Sequence, residues 1–188
     1  MTVCASFHVR AAELRDVAAI VQLIRDLAEF EQLAHLVQVT PEKLGPQLFG
    51  ERPAVEALVV ELGDAQSDNQ SEGLGGNLSD TRSAGEVVAF ALFFSNFSTF
   101  LAQPGIYLED LYVKPEHRGR RIGTALLTRL AALAVERGCG RFEWSVLDWN
   151  ANAIRFYEAK GATVMPEWRI CRVAGEPLAE LARSAAAA

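Results

Sequence analysis

The stretch that decides the fold is IYLEDLYVKPEHRGRRIGTALLTR, residues 106–129. It opens with a run of apolar, β-branched and aromatic residues that stops at Lys114-Pro115, and such a run predicts a strand. Apolar residues then recur at the spacing of one helical face, which predicts an amphipathic helix; they are Ile122, Leu126, Leu127, Leu130 and Leu133. The stretch therefore contains a strand, a basic turn with glycine, and a helix.

The turn Arg118-Gly119-Arg120-Arg121-Ile122-Gly123 has the composition of an anion site. A turn that leads into a helix leaves several backbone N–H groups without intrahelical partners. The helix dipole and the flanking arginines both favour negative charge at this point, most naturally a phosphate. We therefore expect a phosphorylated ligand at the turn.

The composition limits the classes of protein to which the chain can belong. The 188 residues are 50% hydrophobic, which favours one globular domain over residues 1–188. No apolar run approaches the roughly 20 residues that span a bilayer, and the N-terminus lacks the apolar core of a signal peptide. Three scattered cysteines predict a reduced, cytoplasmic setting and no metal site. A formal net charge of −6 gives no case for nucleic-acid binding.

The remaining signals alternate between strand and helix, which predicts an α/β fold. We expect further strands at residues 7–10, 55–62, 86–94 and 141–147 and a last strand pair at 164 and 168–173, with helices at 17–30, 41–48 and 151–160. Residues 63–85 are rich in glycine, serine, asparagine and aspartate, which predicts a long flexible loop inserted between two strands. From residue 175 onward we expect a short helix or tail.

Two adjacent acids, Glu109 and Asp110, interrupt the apolar strand. Neighbouring strand residues point to opposite faces, so only one of them enters a given pocket unless a bulge intervenes. A buried carboxylate without a partner is costly, and we therefore expect at least one of the two to be functional. A third acid, Glu31, falls at the end of the first helix, where it opposes the helix dipole. A solvated helix end is the alternative interpretation of Glu31.

These segments resemble the GCN5-related N-acetyltransferases (GNAT). The turn is similar to their Q/R-x-x-G-x-G/A acyl-CoA signature, in which turn amides hold the pyrophosphate of coenzyme A. Arg118 matches the first position and Gly123 the last, whereas Arg121 stands where the family usually has glycine. Residues 107–110 and 149–157 narrow the resemblance to the diamine (spermidine/spermine) branch, and the thialysine- and ornithine-acetylating relatives are the most similar. The resemblance runs from about residue 9 to about residue 173.

The resemblance implies a single-domain fold with a mixed sheet of about six to seven strands, splayed at the acyl-CoA site. It also implies a homodimer. Main-chain amides around Leu111 and Val113 would face the acetyl carbonyl and the pantetheine, and Asn150 would cap a helix and contact pantetheine. The full set of residues expected to bind acetyl-CoA is Leu111, Tyr112, Val113, Arg118, Gly119, Arg120, Arg121, Ile122, Gly123, Thr124, Asn150, Tyr157 and Lys160.

Acetyl transfer to an amine requires an unprotonated amine, donors for the oxyanion and a proton for the departing thiolate. No Ser-His-Asp or Cys-His set is evident, so direct attack by the amine is the favoured mechanism. By resemblance, Tyr157 in N-x-x-A-x-x-F-Y lies near the coenzyme A sulfur. Its ordinary pKa of about 10 exceeds the value of about 8.5 for a thiol, so it can protonate the thiolate. The alternative is that Phe156-Tyr157 only packs a helix against the sheet.

The resemblance assigns Glu109 to binding or deprotonating the substrate amine, with Asp110 and Glu31 as further substrate contacts. We expect an acetyl-CoA-dependent enzyme that acetylates a terminal amine of a small cation, either a polyamine or a diamino acid such as thialysine or ornithine. One alternative is transfer of a hydroxycinnamoyl or other acyl group to an aromatic amine. Another is a non-catalytic acyl-CoA-binding regulatory module. We expect Arg121 to have a negative φ, with its side chain directed to solvent or to a coenzyme phosphate.

Overall fold

The computed structural model describes residues 6–63 and 85–185. The predicted insertion at residues 63–85 lies outside the described residues except for its two ends. The chain divides into two compact units, residues 1–145 and residues 146–188. No helix of the described residues is long and apolar enough to cross a membrane.

A mixed sheet forms the centre of the first unit, and the predicted α/β class is confirmed. Its strands follow one another in chain order, with antiparallel pairing between the first four and parallel pairing between the last two. The strands are β1 Phe7–Ala11, β2 Glu56–Leu62, β3 Val87–Ser98, β4 Gln103–Val113 and β5 Arg141–Trp144.

Three helices accompany this sheet, and two more lie in the second unit. The helices of the first unit are α1 Val17–Phe30, α2 Pro41–Phe49 and α3 Ile122–Glu136. Those of the second unit are α4 Ala151–Glu158 and α5 Glu176–Ser184. Short 3₁₀ turns occupy Leu14–Asp16, Ala34–Leu36 and Pro115–His117.

Both faces of the sheet are covered, as the almost uninterrupted apolar sequence of β3 predicts. On one face, Phe90 and Leu92 of β3 and Tyr112 of β4 belong to a buried cluster with residues of α1 and α2. Phe93 lies on the other face, where the guanidinium of Arg137, directly after α3, is 5.9 Å from its ring centroid. The sheet therefore separates α1 and α2 from α3.

The expectation of six to seven strands is wrong for the described residues, which form five. Residues 162–174 contain neither helix nor strand, although a strand pair was expected at 164 and 168–173. Trp168 is 72% exposed and Ile170 71% exposed, so the segment lacks the packing that stabilises strand residues. Strand β5 is also shorter than the expected 141–147, and its last pair with β4 lies directly before a bulge described below.

Candidate active site

A β-bulge in β4 decides where the two adjacent acids point. Leu108 pairs with Phe93 and Asp110 pairs with Leu92, which leaves Glu109 without a partner on β3. Directly paired residues share a face, and Leu92 and Phe93 point to opposite faces. Asp110 therefore lies on the α1 face, opposite to Leu108. A bulge in this strand was compatible with the sequence, but no residue type indicated where the bulge lies.

The pairing between β4 and β5 ends at the same place. It runs from Gly105 with Arg141 to Leu108 with Trp144, directly before the bulge. Residues 109–113 of β4 have no β5 partner within the described residues. This separation matches the expected splay, and it leaves one edge of β4 unpaired where the amides of Leu111 and Val113 lie.

The three acids expected to bind substrate form one electrostatic group. Burial, together with the charges of Glu109 and Glu31, raises the pKa of Asp110 to about 6. Burial also raises the pKa of Glu31. Asp110 and Glu31 are half-buried, whereas Glu109 is exposed. None of the ion pairs among the described residues includes any of the three. A bound cation would therefore relieve their mutual repulsion.

The N-terminus of α3 is open, as expected for an anion site. Its first intrahelical bond runs from Ala125 N–H to the Arg121 carbonyl, at 3.0 Å. The amides of Ile122, Gly123 and Thr124 precede it and have no acceptor within the helix. No side-chain hydrogen bond caps this end. These amides fit the phosphate-binding role that the sequence predicts.

The expectation that Arg121 has a negative φ is wrong. Its φ is 64° and its ψ is 12°, the left-handed conformation, directly before α3 begins. A side chain in this conformation costs about 1–2 kcal/mol relative to the right-handed one, and glycine avoids that cost. The turn therefore keeps the backbone geometry of a glycine although arginine occupies the position. Gly119, at a φ of 77°, is the other left-handed residue in the turn.

The arginines of the turn point in different directions. Arg120 is exposed, with Nη1 at 3.5 Å from Nδ1 of His117. Arg118 instead turns back to the sheet, where its Nε donates to the Val113 carbonyl at 3.0 Å. Its guanidinium lies 5.1 Å from the Phe30 ring centroid and 5.4 Å from that of Tyr112. No sequence signal predicted Phe30 as a partner of Arg118, because Phe30 and the turn are far apart in the sequence.

The other residues expected at the acyl-CoA site belong to the second unit. Asn150 caps α4 as predicted, with Oδ1 accepting from Ala153 N–H at 3.1 Å. Tyr157 is half-buried on α4, and its ring centroid is 5.3 Å from that of Phe156. Lys160 is exposed and follows α4, which ends two residues earlier than expected. The roles of Asn150, Tyr157 and Lys160 stay predictions.

An open helix N-terminus after a bulged central strand, beside a group of unneutralised acids, is the arrangement expected of an acyl-CoA-dependent enzyme acting on amines. A family model described as the acetyltransferase (GNAT) family matches residues 43–162. The chain therefore belongs to the GNAT family and is an N-acetyltransferase.

Relatives with curated functions extend over almost the whole chain. The chain is 38% identical over 181 residues to thialysine N-epsilon-acetyltransferase of Mus musculus, covering 95% of this chain and 98% of the relative. It is also 38% identical over 195 residues to L-ornithine N5-acetyltransferase NATA1 of Arabidopsis thaliana, covering 91% and 86%. Among solved structures, an integron cassette protein from the mobile metagenome of V. cholerae has a TM-score of 0.70 at 22% identity, covering 95% and 98%.

Proposed function

We propose that the protein transfers an acetyl group from acetyl-CoA to a terminal primary amine of a small substrate with two cationic groups. The substrate is a diamino acid such as ornithine or thialysine, or a polyamine. The observation that carries the proposal is the group of Glu31, Glu109 and Asp110, which has no basic partner within the described residues. Two relatives that cover most of the chain, a thialysine and an ornithine N-acetyltransferase, support it.

The charge of the acid group suits a substrate with two amines. One ammonium group anchors against a carboxylate while the other amine reacts. A charge-assisted hydrogen bond of this kind contributes roughly 1.5–3 kcal/mol. An aromatic amine such as tyramine has only the one amine that reacts, so no second cation would remain to neutralise the acids. For this reason the acid group favours diamines over the aromatic-amine alternative.

Within the acid group, Asp110 is the carboxyl best suited to accept a proton. A general base works best when its pKa lies near the working pH, and the pKa of Asp110 is raised to about 6. The neighbouring Glu109 is exposed and suits the anchoring role. Asp110 would take the amine proton directly or through water. This assignment differs from the expectation that placed Glu109 first and Asp110 second.

The open turn before α3 fits the phosphates of acetyl-CoA, which supplies the acetyl group as a thioester. The amides of Ile122, Gly123 and Thr124 would bind the pyrophosphate, and the unpaired edge of β4 would face the pantetheine. The amine attacks the thioester carbonyl, the new amide bond forms, and the carbon–sulfur bond breaks. Tyr157 would donate the proton that the thiolate takes up.

Tyr157→Phe should lower kcat by about 10²-fold or more with little change in coenzyme A affinity.

A screen of amines with acetyl-CoA, followed by thiol release, tests the proposal. We expect ornithine, thialysine, spermidine or 1,4-diaminobutane to be acetylated at a kcat/KM at least about tenfold above that of tyramine. A wild-type preference for tyramine with a bulky acyl-CoA would contradict the diamine assignment. Coenzyme A binding without turnover of any amine would favour a regulatory module. The expected cytoplasmic homodimer stays a prediction.

A further inference from the structure

The side chain of Arg118 is exposed but turns back onto the protein, although Arg118 begins the turn expected to bind coenzyme A. Its guanidinium contacts the rings of Phe30 and Tyr112, at 5.1 Å and 5.4 Å from their centroids. Its Nε donates to the Val113 carbonyl at 3.0 Å. A planar guanidinium combines ring stacking with directed hydrogen bonds, which a lysine ammonium does not reproduce. The side chain therefore has protein partners for both its flat surface and its Nε.

The two rings differ in how firmly the surrounding residues hold them. Tyr112 is 6% exposed and packs in the buried cluster with α1 and α2, so it provides a fixed point. Phe30 is 42% exposed and is the last residue of α1, directly before Glu31. Arg118 consequently joins the C-terminus of α1 to the end of β4.

The contact between Arg118 and Phe30 also affects the position of one member of the acid group, Glu31. Asp110 lies on the same face of β4 as Tyr112, one of the two rings that Arg118 contacts. The other ring directly precedes Glu31, whose charge also acts on the pKa of Asp110. Glu31 follows Phe30 in the chain, and its amide closes the last turn of α1 by donating to the Leu27 carbonyl at 2.9 Å. A shift of Phe30 would therefore move Glu31 relative to Asp110.

We propose that Arg118 is a positioning residue for the amine site: its side chain holds the end of α1 so that Glu31 stays beside Asp110, and it does not act as a phosphate ligand. The backbone of Arg118 opens the phosphate turn, while its side chain supports the acids. The proposal deepens the proposed function and rests on it for its kinetic readout.

Steady-state kinetics of Arg118→Met separate the two roles. Methionine keeps an apolar stem but removes the guanidinium plane and the Nε donor. We expect KM for the diamine to rise at least about fivefold, while kcat and KM for acetyl-CoA stay within about twofold. Arg129→Met is the matched control, because Arg129 pairs only at the surface of α3, with Glu136 at 2.9 Å. It should leave all three constants unchanged.

The opposite pattern would overturn the proposal. A rise of KM for acetyl-CoA with an unchanged KM for the diamine would make the Arg118 side chain a phosphate ligand. Phe30→Leu gives a second test, since it removes the ring and leaves the turn intact. It should raise KM for the diamine as Arg118→Met does, and the double variant should add little to either single change. Fully additive effects would contradict the link.

Hydrogen exchange keeps this proposal distinct from the proposed function. In Arg118→Met, the amides of Glu31 and Leu33 at the end of α1 should exchange faster than in the wild type, whether or not any amine is acetylated. Arg129→Met should not change them. Unchanged exchange at these amides in Arg118→Met would overturn the positioning role. A wild type that acetylates none of the amines would count against the proposed function alone.

Discussion

The β1–β2 edge and the bulged part of β4 both bury carboxylates, but only the first neutralises them. At the β1–β2 edge, Arg10 bonds Asp16 Oδ2 at 2.6 Å and Glu61 Oε2 at 2.7 Å. Burial is the largest single influence on the pKa of Asp16 and of Glu61 and acts to raise both. The hydrogen bonds and charge of Arg10, together with a backbone hydrogen bond to each carboxylate and a second nearby arginine, outweigh burial, and both pKa values are lowered. In β4, Asp110 has two acidic neighbours and a raised pKa.

The N-termini of α2 and α3 differ in the same way. Thr40 caps α2 by accepting from Lys43 N–H at 3.4 Å, with Pro41 at the first helical position. The N-terminus of α3 has no side-chain cap and follows a left-handed arginine. At the β1–β2 edge and at the N-terminus of α2 the chain satisfies these polar groups, whereas around β4 and at the N-terminus of α3 it leaves them open. Such local violations are expected where a ligand completes the structure.

Removing the charge of Asp110 should give the largest effect that distinguishes the bulged part of β4 from the β1–β2 edge. Asp110→Asn keeps the shape of the side chain and should lower kcat/KM for a diamine by about 10²–10⁴-fold, the range for a lost general base. Stability at pH 7 should stay equal or rise, because a buried charge without a basic partner is removed. Steady-state kinetics and urea unfolding measure the two effects. Full activity in this variant would remove Asp110 from the mechanism.

The matched change at the other region is Asp16→Asn, which should act on stability alone. It leaves Arg10 without one of its two carboxylate partners in a buried setting, and we expect a loss of about 3 kcal/mol in the free energy of unfolding. The folded fraction should keep the wild-type kcat/KM. Urea unfolding combined with kinetics below the transition checks both values. A free energy of unfolding that stays at or above the wild-type value, as expected for Asp110→Asn, would erase the distinction between the regions.

Stability should depend on pH with opposite signs in the two regions. The pKa of Asp110 is raised from 3.8 to about 6, so between these values the folded state binds more protons than the unfolded state. The free energy of unfolding should therefore fall as pH rises through this window, by up to about 3 kcal/mol. The lowered pKa values of Asp16 and Glu61 give the reverse, a stability that is lost as pH falls below their ordinary values.

Unfolding midpoints measured across this pH range check the signs. Asp110→Asn should weaken the decrease above pH 4 to the part that the raised pKa of Glu31 contributes, and it should leave the acid side unchanged. Asp16→Asn should weaken only the acid side. A wild type whose stability rises steadily from pH 4 to pH 7 would contradict the raised pKa of Asp110.

The smallest expected effect concerns Arg121. Arg121→Gly relieves the left-handed conformation but makes the unfolded chain more flexible, so we expect a net gain of about 0.5–1 kcal/mol. Coenzyme A affinity should stay within about tenfold, since the backbone amides of the turn remain. Ala102→Gly is the control, because Ala102 has a φ of 51° in the connection between β3 and β4, at the opposite end of β4 from the turn. Loss of coenzyme A binding in Arg121→Gly alone would make Arg121 a primary phosphate ligand.

Sequence signals predicted the features that depend on neighbours in the chain. The end of α1 at Phe30 and the caps at Thr40 and Asn150 were confirmed, because periodicity and capping are local. The apolar runs also predicted that β1, β2 and β3 are strands.

Features that depend on distant parts of the chain could not be predicted. The bulge at Glu109 arises from the register with β3, and a one-residue offset leaves no trace in the sequence of β4. The contacts of Arg118 with Phe30 and Tyr112 join three separate elements. The left-handed Arg121 is a case where the backbone of the turn overrides the preference of the residue.

The most direct test of the central claim, that β4 carboxylates recognise the second cation of the substrate, is kcat/KM of Glu109→Gln for 1,4-diaminobutane and for butylamine. The two substrates differ only in the second amine. We expect kcat/KM for the diamine to fall at least about tenfold and that for the monoamine to change by less than about threefold, with acetyl-CoA affinity intact. An equal loss for both amines, or no loss for either, would contradict the claim.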